Sequence, residues 1–510
     1  MRFVYKIKRE WPPLAWLARC RQGDTIELFH GRQVETGADW YHEAVWDGEP
    51  SEGDFDRTDL VFGSGGRLRD GSVVFVSSGS TLDRLHSLAK DKCLWVSNSL
   101  ACLCSAVDAK VDTRYTKYKR DLHSIRKGLD DYERKLETSA GPIRLTYFYN
   151  LRWDGVRLHE VEKPNPNRDF SSFAHYREFL QTSLRHLAAN MSSGQRQQHY
   201  SMLGTLTTGY DSPAVTALAR PEGLTEVLCS DERPAAQDPD DSSAISDQRQ
   251  AIAETLGVKM IHLSRDAWQE ASLGEVPFLV GDTKGMDIWL RSRESQLQRK
   301  VLLTGNHGDD IWSKAPKNLG DRLQRGPGLS GLSLTEYRLW AGFIHCPVPY
   351  FGARQAPDIN AITLSDEMAP WDIGGSYNRP IPRRITEEAG ISRAAFGIRK
   401  RGTSVWLAEQ ETFRSSPSAS DYLAWLSSHR GSWLRAGRLP PSVTRRLARP
   451  AQAAAGLLAK VLRTFGVTPM RSRLARDAEY FSTHEAAFRY MFAWALERAT
   501  SRYGHRPIES

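Results

Sequence analysis

Cysteine is scarce in this chain: six residues in 510, at Cys20, Cys93, Cys102, Cys104, Cys229 and Cys346. None forms a CxxC pair, and a chain of this length buries a core without disulfides. Cys102 and Cys104 lack the further ligands of a zinc site, so structural thiols are expected. Long apolar runs are lacking too. No stretch approaches the roughly 20 residues that a membrane-spanning helix needs. The opening MRFVYKIKREWPP has no signal-peptide core, so a cytoplasmic protein is the expectation. There is no internal repeat, no low-complexity tract and no RNA-binding motif with interleaved aromatics. No nucleic-acid partner is expected.

Charge of one sign is missing from most of the chain. The whole sequence carries a net +8. Residues 401–510 hold 17 Lys+Arg against 8 Asp+Glu, so the basic excess lies there and the first 400 residues are near neutral. A solvated basic face is one reading. An acidic partner, such as a phosphate-rich substrate or an anionic membrane surface, is the other.

What is present falls into two regions. Residues 1–160 read as β-rich, with short strand-like runs such as RDGSVVFVSSGS and KCLWVSNSLACLC. The segment EGDFDRTDLVFGSGGRLRDG reads as a loop, and its glycines Gly63, Gly65 and Gly66 open no helix. EKPNPNRDFSS, residues 162–172, is punctuated like a linker. From 173 to 510 the rhythm changes. Helical spacing in FAHYREFLQTSLRHLAANM precedes strands in YSMLGTL, TEVLCS, KMIHLS and KVLLTG, with SPAVTALAR and SAISDQRQAIAETLG as helices between them. Ser212 is expected to cap the first of these, with Pro213 at its first position. Strands alternating with helices predict a parallel α/β sheet. His262 is expected as a core or edge residue of one strand. The aromatic-rich segment 480–503 is expected to pack on the core, and the basic amphipathic segment 451–466 on the domain surface.

In parallel sheets ligands bind at the carboxyl ends of the strands. Two segments put polar chemistry there: TTGYDS (207–212) and GNHGDD (305–310). Their glycines let backbone approach a ligand, and N–H groups at a helix start favour an anion. Their carboxylates suit a hard cation such as Mg²⁺ that bridges phosphates. The alternative is an ordinary strand–turn–helix connection, since Gly, Asp and Ser are also turn residues.

The motif series resembles the asparagine synthetase family. LTTGYDS resembles that family's SGGxDS pyrophosphatase loop, and VLLTGNHGDDIW its TGxGxDExF segment. VSNSLACL resembles the ASExxALL segment, CPVPYF the RYPFLD segment, and FGIRKRG the RxKxGF segment, in the same order. The resemblance implies an N-terminal glutaminase-like (Ntn-type) β-sandwich domain over 1–160. It implies a PP-loop (adenine nucleotide α-hydrolase-like) synthetase domain over 173–510, with a helical C-terminal part. It implies ATP and Mg²⁺ as cofactors. Leu206, Thr207, Thr208, Gly209, Tyr210, Asp211, Ser212 and Gly305 would then hold the nucleotide, and Asp211 and Asp309 the Mg²⁺. Lys400 matches the lysine that stabilises acyl-adenylate and pyrophosphate. The implied reaction activates a carboxylate on a small molecule, glycan or peptide for attack by ammonia or an amine.

Departures from the pattern bear on the acceptor. Arg2 stands where the family's glutaminase has its cysteine nucleophile, so no glutamine hydrolysis is expected, as in β-lactam synthetases and lasso-peptide cyclases. Thr208 replaces a loop glycine, and a β-branched residue resists positive φ. Asn306 stands where the family often has Glu or Tyr orienting the nucleophile, and Gly352 where it has aspartate. His307 offers a proton acceptor beside the loop, or a loop residue bonded to backbone. Tyr377 in GGSYNRPIPRR is a pocket candidate, and 313–338 a cover over the site. A lasso-type peptide cyclase and a non-catalytic scaffold remain the alternative functions.

Overall fold

The computed structural model describes residues 1–504 except 22, 24, 113–114, 116, 231–240, 265–267, 269–272, 317, 327, 376, 397–416 and 430–489. Lys400, the 451–466 segment and most of the basic tail lie outside the described residues.

The N-terminal region is built of two sheets. The seven-stranded sheet includes Arg2–Ile7, Trp16–Arg21, Thr25–His30, Leu85–Lys90 and Cys93–Ser97. The six-stranded sheet includes Trp40–Trp46, Val61–Arg69, Ser72–Val76 and Asn150–Trp153. Trp16, Ile26 and Val96 of the first sheet meet Tyr41, Phe75 and Trp153 of the second in one apolar layer. The strand Trp16–Arg21 explains how both faces are filled. Trp16, Ala18 and Cys20 enter that layer, whereas Leu17 joins the larger core on the other side. This is the two-residue period of a strand buried on both faces.

Two sequence expectations are corrected here. Residues 61–69 are a strand, not a loop, and it is paired on both sides. Its glycines serve close approach between chains. A Cβ on Gly63 would sit 2.0 Å from the Glu43 carbonyl oxygen, and one on Gly66 2.5 Å from the Tyr41 ring. The second correction concerns KCLWVSNSLACLC, in which only Cys93–Ser97 is strand. Leu100–Val107 is a helix, because Ser99 caps it: its Oγ accepts from the Cys102 N–H at 3.0 Å.

The second region opens with the helix Phe173–Ser192 and centres on a five-stranded sheet. Its strands are numbered β1 (Ser201–Thr205), β2 (Glu226–Ser230), β3 (Lys259–Leu263), β4 (Lys300–Thr304) and β5 (Ile344–Pro347). All neighbours pair parallel, in the order β3-β2-β1-β4-β5. The interior strands are continuous apolar runs, as a sheet covered on both faces requires. β3 lies at the edge, and its His262 is exposed there. The helices Asp211–Ala219 and Asp241–Leu256 follow β1 and β2, and Gly257 ends the second with φ +62°.

The two regions share one core. Met491–Thr500, near the C-terminus, packs against Leu100–Val107, and Trp11 Nε1 donates to the Tyr503 carbonyl at 3.1 Å. A charged cluster lies in the same seam. Arg338 donates to Glu43 at 2.6 Å and pairs with Asp83 at 2.5 Å. Burial alone would lower the Arg338 pKa, but the charges of Asp83 and Glu43 outweigh it and hold the guanidinium ionised. Ser64 and Asn98 also donate to Glu43.

Candidate functional site

The strand order reverses between β1 and β4. The chain leaves β1 for β2 and β3 on one side, then crosses to β4 on the other. Such a switch point opens a crevice at the carboxyl ends. TTGYDS follows β1 and GNHGDD follows β4, so both loops meet at that crevice.

The first loop is held by its own side chains. Thr207 N–H donates to Ser212 Oγ at 3.0 Å, and the two hydroxyls lie 2.9 Å apart. Gly209 N–H donates to Thr207 Oγ1 at 3.2 Å. Leu206 N–H reaches the Leu228 carbonyl at 2.8 Å, which pins the loop to β2. Ser212 is therefore not the helix cap. The helix begins at Asp211, with Tyr210 before it, and Pro213 lies inside the first turn. The hydroxyl of Ser212 turns back to brace the loop, and Asp211 puts its negative charge in the first turn. Thr208 is buried and does not adopt positive φ, so its branched Cβ costs the loop no strain.

The second loop wraps Asp211 closely. A Cβ on Gly305 would lie 2.7 Å from Asp211 Cβ, and one on Gly308 2.6 Å from its Cγ. Any larger residue at either position would push the two loops apart. His307 precedes the short helix Gly308–Ile311 with φ +79°, a conformation uncommon outside glycine. Its ring stacks on Tyr350 at 4.4 Å, and its Nδ1 lies 3.0 Å from Asp310 Oδ2. Burial pushes the His307 pKa down, and the opposing pull of Asp310 does not overcome it. The ring is thus neutral at neutral pH, and its buried Nε2 has no hydrogen-bond partner among the described residues. Asn306 faces the segment near Gly331, where a Cβ would come within 2.6 Å of its Nδ2.

Asp211 and Asp309 converge on one group, the guanidinium of Arg379. Arg379 Nη1 pairs with Asp211 Oδ2, and Nη2 donates to Asp309 Oδ1 at 2.6 Å. Arg379 is 4% exposed, whereas the Asp309 side chain is 39% exposed. One side of the cluster is therefore sealed and the other faces the crevice. Tyr377 completes the wall: its ring lies 4.6 Å from the Arg379 guanidinium and stacks on Tyr210 at 5.4 Å. A Cβ on Gly209 would meet the Tyr377 hydroxyl at 2.9 Å.

Asp211 Oδ1 is buried without a hydrogen-bond partner among the described residues. Among the described residues no cluster of three or more His, Cys, Asp or Glu is placed to hold a metal alone. A cation here would need ligands from water or a bound anion.

Arg379 was not among the residues singled out from sequence. The only hint was its place in GGSYNRPIPRR, beside Tyr377 and just ahead of Pro380, which opens the helix Pro380–Glu388. The cysteines take no part in the site. Burial pushes up the thiols of Cys20, Cys102, Cys104 and Cys346, that of Cys104 to about 12, so none of these is a thiolate at neutral pH. No helix among the described residues is long and apolar enough to cross a membrane. No family model matches the chain, and no curated protein matches it in sequence.

Proposed function

We propose that this chain is an ATP-dependent ligase that forms AMP and pyrophosphate, activating a carboxylate for attack by ammonia or an amine. One observation carries the reading: the glycine-bearing loops after β1 and β4 meet at the switch point, with Asp211 and Asp309 both paired to the Arg379 guanidinium. On this reading the N-terminal sandwich is a glutaminase-like (Ntn-type) domain without glutaminase activity, and the second region is a PP-loop domain. Backbone N–H groups of the first loop and of the following helix start would receive the phosphates. Asp211 and Asp309 would hold Mg²⁺, which when bound supplies positive charge to the phosphate oxygens. Arg379 would hold those two carboxylates in register. His307 Nε2 would accept a proton from the incoming amine, since a neutral imidazole offers one acceptor nitrogen.

Equilibrium binding of ATP with Mg²⁺ tests the reading. Saturable binding that is lost in Asp211→Asn is expected. No binding at millimolar nucleotide would remove the ligase and leave a scaffold that keeps the fold. Ammonia release from glutamine by the purified chain is expected to be absent.

A further inference from the structure

A second cleft opens next to the switch point, where the two regions meet. It has a volume of about 620 Å³ and is lined by Arg126 and Lys127 of the N-terminal region and by Asn318 and Arg325 of the second. Asp131 is the one acid in its wall, against three cations. Arg126 and Lys127 are exposed, and they end the short turn of helix His123–Lys127.

Arg325 is different. It is 4% exposed, and its Nε and Nη1 are buried with no hydrogen-bond partner among the described residues. Its Nη2 has only a 3.4 Å contact to the Ser330 carbonyl. An arginine keeps its charge at any ordinary pH; the carboxylates of Asp310 and Asp287 lie within electrostatic reach of this one, but neither bonds to its guanidinium. Its backbone is fixed: its N–H donates to the Arg126 carbonyl at 2.8 Å, which ties the two regions together here. The next residue touches the candidate active site. Gly326 N–H donates to Asp310 Oδ1 at 2.8 Å, and Asp310 Oδ2 holds His307.

We propose that this cleft binds an anionic oxo group, a carboxylate or phosphate, through Arg325 at its base and Arg126 and Lys127 at its mouth. That the anion belongs to the substrate rests on the ligase reading. The substrate would then carry a second negative group besides the carboxylate that is activated. The cleft would anchor that group while the reacting end lies in the crevice beside Asp309 and His307. Charge-assisted hydrogen bonds to a fixed guanidinium supply both orientation and affinity.

Calorimetric titration of the full chain without nucleotide tests the cleft, using succinate and inorganic phosphate as separate probes. Saturable binding of at least one is expected, weakened roughly tenfold or more in Arg325→Gln and in the surface double variant Arg126→Ala/Lys127→Ala. Uncharged succinamide should not bind. Tighter succinate assigns a carboxylate, and tighter phosphate assigns a phosphoryl group. Equal affinity in the parent and the surface double variant overturns the proposal, as does the absence of saturable binding of either probe up to about 10 mM. Titrating ATP with Mg²⁺ into the unaltered chain separates the two readings. Nucleotide binding with anion binding that ignores the substitutions removes the cleft alone. Substitution-sensitive anion binding without nucleotide binding removes the ligase and leaves the cleft as an anion site.

Discussion

Arg338 and Arg379 each lie between two carboxylates, and there the likeness ends. Arg338, Glu43 and Asp83 come from three distant parts of the chain and are all buried, with Ser64 and Asn98 adding further donors to Glu43. Arg379 holds Asp211 and Asp309 at a strand-end crevice, with Asp309 partly in solvent and one oxygen of Asp211 unbonded. The first cluster is closed off from water, as a seam between two regions must be, although Asp83 Oδ1 has no hydrogen-bond partner among the described residues. The second is sealed at Arg379 and opens to solvent at Asp309. Residue composition does not separate a structural ion cluster from a functional one. Exposure does.

That contrast predicts opposite responses to mutation. The largest effect is expected at the sealed cluster. Arg338→Met leaves Glu43 and Asp83 buried without the counter-charge bonded to both. By the usual cost of breaking a buried pair, this should destabilise the chain by about 3–5 kcal/mol, measured by chemical denaturation. A loss below about 1 kcal/mol would mean that the seam relaxes or admits water, and the contrast would fail.

The next effect is electrostatic and follows pH. His345 is buried beside the sealed cluster, bonded to Thr304 Oγ1 at 2.9 Å. Burial, and then the charges of Arg338 and Arg325, push its pKa down to about 3. The folded chain therefore keeps it neutral, while the unfolded chain protonates it near pH 6.5. Stability is lost as pH falls below about 6.5, by about 2 kcal/mol at pH 5 from this residue. Asp83 acts in the opposite sense. Burial first of all pushes it up to about 6. Its contribution is present at low pH and declines as pH rises through 6. Comparing the parent with His345→Gln cancels the Asp83 contribution in both. Between pH 7 and pH 5 the parent should lose about 2 kcal/mol more than the variant. Equal losses would show that His345 is protonated in the fold.

Much of this arrangement was legible in the sequence, and the illegible parts share a cause. The four strands from 201 to 304 were read from short apolar runs, because buried parallel strands write themselves locally. TTGYDS and GNHGDD stood out because glycine beside a carboxylate after such a run is a local signal. The partners of Asp211 and Asp309 were not visible, since Arg379 is 168 positions from one of them and looks like any other arginine. Arg325 was hidden for the same reason, in a stretch read only as a cover. Gly63, Gly65 and Gly66 were misread because glycine marks both a turn and a close chain approach, and only the paired strands distinguish the two. Ser212 reads as a cap because serine before proline is a usual helix opening, whereas the helix starts one residue earlier, at Asp211, with Tyr210 before it.

A smaller loss is expected in the first loop. Ser212→Ala removes the acceptor of the Thr207 N–H and the partner of its hydroxyl. One buried hydrogen bond of this kind is worth about 1 kcal/mol. The loop should loosen by that amount, and thermal unfolding should report it. Nucleotide affinity should fall with it, because the loop's N–H groups would no longer be held in place. Loss of stability with unchanged affinity would make Ser212 a structural residue and the loop an ordinary connection.

The smallest effect on stability is expected at Asp309, and it sharpens the comparison most. Asp309→Asn keeps the side chain's shape and one acceptor oxygen for Arg379, and removes the charge. The Asp309 side chain is 39% exposed, so water already screens its pair with Arg379. Partly exposed pairs contribute about 0–1 kcal/mol, and denaturation midpoints should barely move. Pyrophosphate formation should be lost all the same, because an amide cannot offset a cation's charge as a carboxylate does. Arg338→Met would then cost stability through a cluster with no ligand role, and Asp309→Asn would cost activity through a cluster with little structural role. If Asp309→Asn instead unfolded the chain as readily as Arg338→Met, the crevice cluster would be a second structural seam. Arg379 would then be a permanent counter-ion there, and the reading of TTGYDS as a phosphate loop would lose its support.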